Sequence, residues 1–283
     1  FEQVRGDLGR RADREAVIVA DDPLQLVGRK AGLEVDLDPA VFGRAYPSVD
    51  TVGICAEIGE FLAMLTNFWP EVRPSELLST QSLVNIAPSE HGVHPRDLMA
   101  AVQRVVVETT DAQVMSDAGN AFAWANAELR FNHAGRYRTT SGFGTMTKAS
   151  AGVVGAAWAS GRPAVALVGD GAMLMGNEVS TAVQHGISAK WVVLNDAGYG
   201  MIRHGMVAIG LDPFATSIPR TDFAAWARAL GAEGLEVSHA KDLQEALKRM
   251  MRTEGPVVLD VRIDPRAAPP FGKRNQSLSK YWG

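Results

Sequence analysis

The sequence predicts an α/β fold in which a parallel sheet is covered by helices on both faces. Strand-like and helix-like segments alternate along most of the chain. The segments at 163–171 (PAVALVGDG), 190–196 (KWVVLND) and 256–263 (PVVLDVRI) are largely continuous apolar runs, without the alternation of a half-exposed strand. Such runs are typical of strands buried on both faces, and their alternation with helices favours a parallel sheet.

The first part of the chain predicts only two strands. Residues 16–20 and 33–37 are short apolar or alternating segments that end at Asp and Pro, which is typical of strands. Residues 57–65 predict an amphipathic helix with its apolar side chains on one face. Since two strands do not form a sheet of this class alone, we expect part of a larger domain over 1–69. The proline-punctuated residues 70–92 predict a linker.

The remaining elements are sufficient for a complete domain over 93–265. Helices are predicted over 95–108, 177–185, 223–230 and 242–251, and strands over 114–116, 163–171, 190–196, 235–237 and 256–263. Residues 141–160 are rich in small side chains. The polar residues 266–283 predict a tail that lies over the surface.

Composition excludes several classes of function. With 28 basic and 32 acidic residues, the net charge of -4 gives no electrostatic reason to bind nucleic acid or an anionic membrane surface. No apolar run reaches the roughly 20 residues that a membrane span needs. The single cysteine, Cys55, has no partner for an internal disulfide, which favours a reducing cytoplasm as the location.

Two strand ends combine the residues that a metal and a phosphate need. They are 169–171 (Gly-Asp-Gly) and 194–199 (Leu-Asn-Asp-Ala-Gly-Tyr), so Asp170 and Asp196 are separated by one helix and one strand. Neighbouring parallel strands place such ends side by side, where α/β proteins bind ligands. Two carboxylates suit Mg²⁺ or Ca²⁺, and the glycines let a bulky anion approach. We also expect the helix that starts near Asn177 to direct its amino end at phosphate oxygens.

These segments also resemble a known family. A Gly-Asp-Gly followed, after about two dozen residues, by Asn-Asp and Gly-Tyr is similar to the signature of thiamine diphosphate (ThDP) enzymes. The flanks TSGFGTM, LVGDGAMLM, STAVQHG and VVLNDAGYGMI resemble the acetolactate synthase-like branch. Residues 33–56 resemble the end of that branch's Rossmann-like central domain. The resemblance implies a ThDP diphosphate-binding domain over 93–265, preceded by the C-terminal part of a central domain.

The resemblance implies roles for individual residues. Asp170, the side chain of Asp196 and the carbonyl of Gly198 match the Mg²⁺ ligands, although the family usually has Asn at 196. The Gly144 carbonyl matches the group that accepts a proton from the cofactor's amino group, and Met146 matches the residue that supports the cofactor's bent shape. These two are the catalytic candidates. The cofactor-binding candidates are Gly144, Met146, Gly169, Gly171, Ala172, Asn195, Tyr199 and Met201. Asp117 matches a strand end near the cofactor.

The function implied is ThDP- and Mg²⁺-dependent decarboxylation of a 2-keto acid, with carboligation to a carbonyl acceptor. Simple decarboxylases of the pyruvate decarboxylase type often have a glutamate at the position of Ile202, so this residue favours carboligation. The family takes a catalytic glutamate from a pyrimidine-binding domain, which nothing in this sequence matches. We therefore expect that domain from another chain, an oligomer with a homo-oligomeric partner, and no activity of this chain alone.

Two alternatives remain open at this level. One is a subunit of a two-chain 2-keto acid decarboxylase, against which the central-domain segment in 1–65 argues. The other is a non-catalytic regulatory or interaction subunit, against which the retained metal ligands argue. The front region is too short to decide whether FAD binds. Because the chain begins at Phe1 without a methionine, we expect a fragment, a cleaved product or one piece of a split enzyme.

Overall fold

The computed structural model describes residues 32–36, 51–55, 57, 59, 61, 91–139 and 143–270. The chain divides into two units between Ser79 and Thr80, and each unit is described here by itself. The predicted strand at 16–20, most of the predicted helix at 57–65 and most of the predicted tail lie outside the described residues. The domain limits given above stay a prediction.

The first unit contains a parallel pair of strands. Strand β1 (Gly32–Asp36) agrees with the strand predicted at 33–37, and it pairs with β2 (Thr51–Cys55), which the sequence did not predict. In their register Gly32 lies opposite Thr51 and Asp36 opposite Cys55. A parallel pair requires a crossover connection, as an α/β layer does.

The second unit contains a sheet of six described strands, all parallel to their neighbours. The strands are β3 (Gln113–Ser116), β4 (Tyr137–Thr139), β5 (Ala164–Gly169), β6 (Ala189–Asn195), β7 (Glu233–Val237) and β8 (Val257–Arg262). Their order across the sheet is β4-β3-β5-β6-β8-β7. Because β3, β5 and β6 are adjacent and parallel, their carboxyl ends open at one edge of the sheet.

Eight α-helices among the described residues of the second unit connect or flank these strands. They are α1 (Pro95–Val102), α2 (Asn120–Glu128), α3 (Lys148–Ser160), α4 (Asp170–Met175), α5 (Glu178–His185), α6 (Gly200–Ala208), α7 (Phe223–Ala229) and α8 (Leu243–Arg252). In the described part of the chain no helix is both long and apolar enough to span a membrane.

Hydrophobic cores lie on both faces of the sheet. Along β6, Val192 and Leu194 belong to a core that α1, α2 and α8 cover, whereas Trp191 and Val193 belong to one that α3, α5 and α7 cover. Successive side chains of a strand point to opposite faces, so a buried strand needs apolar residues at every position. The predicted fold class, a parallel sheet with helices on both faces, is confirmed.

The structure differs from the predicted elements at several points. The helix predicted at 95–108 is α1 followed by a π-helical turn at Gln103–Val107, and the strand predicted at 163–171 ends at Gly169 because Asp170 begins α4. Helices α2, α3, α4 and α6 and strand β4 were not predicted. The segments of α2 (NAFAWANAE) and α3 (KASAGVVGAAWAS) are rich in alanine and other small residues and show no clear apolar stripe.

Candidate functional site

A pocket lies at the carboxyl ends of β3, β5 and β6. Its lining comes from the segments that leave these strands, together with the loop before α3. The lining residues are 118–121, Gly144, Met146, 169–172, Leu194, Asp196, 198–202 and Ile263. All cofactor-binding and metal candidates of the sequence except Asn195 are therefore brought together around one pocket. This is the crevice in which ligands of open parallel sheets bind.

Asp170 is held by backbone donors from both strand ends. Its Oδ1 accepts a hydrogen bond from the N–H of Gly171 at 2.7 Å, and its Oδ2 accepts one from the N–H of Gly198 at 3.1 Å. The residue is 3% exposed, and burial raises the pKa of its carboxyl group. The second bond crosses from β5 to the turn after β6, so Asp170 ties the two ligand-bearing segments together.

Asp196 is the second buried carboxylate of the pocket. It is 7% exposed, and its Oδ2 accepts a hydrogen bond from Arg203 Nη2 at 2.6 Å. Burial, followed by the negative charge of Asp170, raises the pKa of Asp196 to about 7. Two carboxylates that oppose each other's ionisation are stabilised by a cation bound between them. The donor set therefore fits a divalent metal.

The backbone at Gly198 completes the predicted ligand set. Among the described residues no group of three or more His, Cys, Asp or Glu side chains could hold a metal, so a site here needs a backbone oxygen as well. A Cβ at Gly198 would lie 2.7 Å from the carbonyl oxygen of Thr216, which excludes larger residues from this turn. The Gly198 carbonyl as third ligand stays a prediction.

Gly171 and Tyr199 face each other across the pocket. A Cβ at Gly171 would lie 2.8 Å from Tyr199 Cε1, so the absence of a side chain makes room for the ring. The N–H of Tyr199 donates to the carbonyl of Thr216 at 2.8 Å. The first turn of α4, including Ala172, also lines the pocket, whereas no residue of α5 does. The expectation that the helix starting near Asn177 directs its amino end at phosphate oxygens therefore gains no support from the pocket lining and stays a prediction.

The loop that carries Gly144 and Met146 is fixed by Asp117. The carboxylate of Asp117 accepts hydrogen bonds from the N–H groups of Thr147 at 2.9 Å and Ala149 at 3.4 Å. Thr147 has a φ of 76°, in the left-handed region, so this anchor stabilises a conformation that a threonine rarely adopts. Asp117 is fully buried and does not line the pocket; it positions the loop.

Asn195 is placed differently from the other candidates. Its Nδ2 donates to the carbonyl of Thr221 and to Asp260 Oδ1, both at 2.9 Å, and it does not line the pocket. The other carboxylate oxygen of Asp260 accepts from the N–H of Phe223 at 3.0 Å. The structure thus gives Asn195 a role in joining β6 to β8 and α7, and its expected contact with the diphosphate stays a prediction.

The segment after β3 contributes pocket residues that sequence reasoning did not assign. Ala118, Gly119, Asn120 and Ala121 all line the pocket, and Asn120 Nδ2 lies 3.3 Å from His204 Nδ1. Asn120 Oδ1 is buried and has no hydrogen-bond partner among the described residues, which suits a bound polar group. The signal that could have identified this segment was a glycine soon after a strand end, as at 169–171.

Comparisons with known proteins agree with this geometry. A family model described as thiamine pyrophosphate enzyme, C-terminal TPP binding domain, matches residues 117–261. A Mycobacterium tuberculosis protein provisionally named acetolactate synthase large subunit is 38% identical over 183 residues, which are 63% of this chain and 32% of that protein. The sulfoacetaldehyde acetyltransferase of Castellaniella defragrans is 31% identical over 195 residues, 66% of this chain and 32% of that protein.

A solved structure shows the same fold. The thiamine diphosphate-dependent 4-hydroxybenzoylformate decarboxylase of Rhodococcus jostii RHA1 has a TM-score of 0.66 and 23% identity, and the match covers 83% of this chain and 44% of that one. The chain thus spans about a third of the length of the two curated relatives, and under half of the solved chain.

Proposed function

The chain belongs to the thiamine pyrophosphate enzymes, and on this premise we propose that it decarboxylates a 2-keto acid and joins the remaining fragment to a carbonyl acceptor. We propose Mg²⁺ as the metal and a pyrimidine-binding domain from another domain or chain, within an oligomer, as the partner. Relatives named as an acetolactate synthase and as an acetyltransferase support a transfer reaction. The single cysteine supports the cytoplasm as the proposed location.

The observation on which this proposal depends is the meeting of Asp170 and Asp196 at one pocket. Both are buried, both line the pocket, and the charge of Asp170 contributes to the raised pKa of Asp196. Two buried like charges, of which only Asp196 is paired with a cation among the described residues, are costly in a folded chain, and a bound divalent metal relieves the cost. A subunit without a cofactor would have no such reason to keep the pair.

Each part of the pocket has a proposed task. Asp170, Asp196 and the Gly198 carbonyl would hold Mg²⁺, and 169–172 would approach the diphosphate closely because this segment is short of side chains. Gly144, Met146, Tyr199 and Met201 would contact the rest of the cofactor. Bound ThDP supplies the nucleophilic carbon and the electron sink that 2-keto acid decarboxylation needs. Asp117 acts indirectly, by holding the loop on which Met146 lies.

The pocket offers few groups that could protonate a bound intermediate to an aldehyde. Of the described lining residues only Asp170, Asp196 and Tyr199 are ionisable, and the first two are proposed as ligands. Ile202, which lines the pocket, is aliphatic. Because so few proton donors line the pocket, transfer of the intermediate to a second carbonyl compound is favoured over its protonation. The catalytic glutamate would come from the pyrimidine-binding domain.

Calorimetric titration of the full chain with ThDP and Mg²⁺ tests the site. We expect wild-type protein to bind both together and Asp170→Ala to lose at least about 100-fold in affinity, since even changes outside the metal ligands cost 10–100-fold. Asp111→Ala is the matched control, because Asp111 is an exposed carboxylate paired with Arg162. Unchanged binding by Asp170→Ala would contradict the assignment, and absence of binding by the assembled wild type would favour the non-catalytic subunit.

Product analysis tests the reaction itself. The assembled enzyme is incubated with several 2-keto acids, with and without a carbonyl acceptor, and carbon dioxide and organic products are measured. We expect carbon dioxide together with a product that contains a new carbon–carbon bond. An aldehyde as the sole product would refute carboligation and favour the two-chain decarboxylase.

A further inference from the structure

Arg203 contacts one of the three proposed metal ligands, Asp196, and lies beside the residue that carries another, Gly198. Its Nη2 donates to Asp196 Oδ2 at 2.6 Å, and the same atom lies 2.8 Å from the position that a Cβ of Gly198 would occupy. The N–H of Arg203 donates to the carbonyl of Tyr199 at 3.0 Å, so its side chain starts one turn into α6 and reaches back to the end of β6. Arg203 does not itself line the pocket.

The charges around the pocket are unevenly balanced. Asp170 and Asp196 are both buried carboxylates, and in the described residues Arg203 is the cation in direct contact with one of them. Arg220, the next cation, donates to the carbonyl oxygen of Asn195 at 3.2 Å, and its positive charge lowers the pKa of both carboxylates without pairing with either. Without a metal, Arg203 therefore neutralises one of two like charges.

The contact between Arg203 and Asp196 does not prevent a metal ion from binding the same carboxylate. Arg203 engages a single oxygen of Asp196, and Arg203 Nε is buried without a hydrogen-bond partner among the described residues. A guanidinium that fills a purely structural position normally uses more of its five donors. Asp196 itself lines the pocket, so a metal bound there would meet the same carboxylate that the guanidinium engages.

We propose that Arg203 is the internal counter-ion of Asp196 and competes with the divalent metal for this carboxylate, which makes it the residue that sets the metal affinity. The proposal rests on the proposed function in one respect, that Asp196 is a metal ligand. Arg203 stabilises the metal-free chain by pairing with Asp196. It weakens metal binding because a second positive charge remains beside the site after the metal binds.

The test compares Arg203→Gln, Asp196→Asn and the double variant with wild type in the full chain. Mn²⁺, which electron paramagnetic resonance detects, is titrated in the presence of ThDP. We expect Arg203→Gln to bind Mn²⁺ about tenfold more tightly, because loss of a neighbouring unit charge changes the energy of a bound cation by more than 1 kcal/mol. Asp196→Asn is expected to bind more weakly, and the double variant to lie between the two.

Thermal unfolding without metal gives a second, independent readout. Arg203→Gln is expected to lower the melting temperature by roughly 5 °C, since it leaves a buried carboxylate unpaired. Adding Asp196→Asn to this variant is expected to recover part of the lost melting temperature. A residue with a merely structural role would lower stability and metal affinity together, whereas Arg203→Gln is expected to lower the first and raise the second.

Arg96→Gln is the matched control. Arg96 forms a half-buried pair with Glu128 at 2.9 Å, away from the proposed ligands, so the change is expected to leave the Mn²⁺ affinity unaltered. Unchanged or weaker Mn²⁺ binding by Arg203→Gln, or no recovery in the double variant, would overturn the competition. Failure of wild-type protein to bind Mn²⁺ with ThDP would overturn the proposed function as well, so the two failures are distinguishable.

Discussion

The two ends of the six-stranded sheet bury charge in different ways. At the amino end of β6, Lys190 is fully buried, and its Nζ donates to the carbonyls of Thr253 at 2.6 Å and Gly255 at 2.5 Å. At the carboxyl end, Asp170 and Asp196 share a pocket. Lys190 is enclosed and donates to two backbone carbonyls, whereas the two carboxylates line the pocket. A satisfied buried charge is part of the structure, while an open pair of like charges indicates a binding site.

The neighbours of each group sharpen this contrast. Burial lowers the pKa of Lys190 to about 8, and the negative charge of Glu233 opposes the shift. Burial raises the pKa of Asp196 to about 7, and the negative charge of Asp170 adds to the shift. The fold therefore opposes the effect of burial on Lys190 with an opposite charge, whereas at the pocket end Arg203 pairs with Asp196 but the like charge of Asp170 remains beside it. Only the second arrangement leaves a need for a ligand.

Replacing Lys190 by methionine is expected to give the largest effect on stability. The change removes the donor from the half-buried carbonyls of Thr253 and Gly255, and each hydrogen-bonding group left without its partner costs up to about 1–3 kcal/mol. We expect the free energy of unfolding to fall by about 3–5 kcal/mol in urea titrations. Metal and ThDP binding should stay unchanged in the folded protein, and a loss of binding without a loss of stability would contradict the assignment of this end as structural.

The pH dependence of stability provides a second test of the same group. Since the pKa of Lys190 is about 8 in the folded chain and about 10.4 when unfolded, the unfolded chain binds more protons between these values. Its contribution to stability therefore rises with pH across this window, on the order of 2–3 kcal/mol in total. Deprotonation does not remove the two hydrogen bonds of Lys190, because the neutral amine still has two N–H donors for the carbonyls of Thr253 and Gly255.

The measurement compares wild type with Lys190→Met from pH 7 to pH 10. The difference in the free energy of unfolding between the two proteins removes the contribution of all other groups that titrate in this range. A flat or falling difference would show that Lys190 retains an ordinary pKa in the folded chain.

A substitution at the pocket end is expected to change binding more than stability. In Gly171→Ala the new methyl group meets the ring of Tyr199, which is exposed enough to turn outward. The free energy of unfolding should change by less than about 1 kcal/mol, because alanine also favours the helix. ThDP affinity should fall by roughly tenfold as the ring and the methyl group narrow the pocket.

Gly155→Ala is the control for this prediction. Gly155 lies within α3, where a Cβ would have no neighbour within 4 Å, so the same change of side chain should leave ThDP affinity as it is. Equal affinities of Gly171→Ala and wild type would remove Gly171 and Tyr199 from the proposed cofactor contacts.

The sequence predicted the parts of the fold that have a strong local pattern. The strands at 163–171 and 190–196 were predicted because most positions are apolar, which follows from burial on both faces. Helices α2 and α3 were missed because they are rich in alanine and other small residues and carry no clear apolar stripe, and α4 because its six residues are too few for a helical period. Strand β4 was missed because three residues at the edge of a sheet leave almost no pattern.

The candidate site also has a part that the sequence predicted and a part that it did not. Asp170, Asp196 and the glycines beside them were identified from their positions after two strands, since parallel strands place their carboxyl ends at one edge. The sequence did not predict which other residues surround them. Asn120 comes to the pocket from β3, which is adjacent to β5 in space but separated from it by two helices and a strand along the chain.

The sequence by itself determined the fold class and the carboxylates of the pocket, because periodicity and spacing are local properties of a chain. The tertiary structure decided which neighbours each side chain meets. It turned Asn195 toward Asp260, used Asp117 to hold the Met146 loop, and brought Arg203 to Asp196. Such contacts depend on the distances between elements, and these are set only when both faces of the sheet are packed.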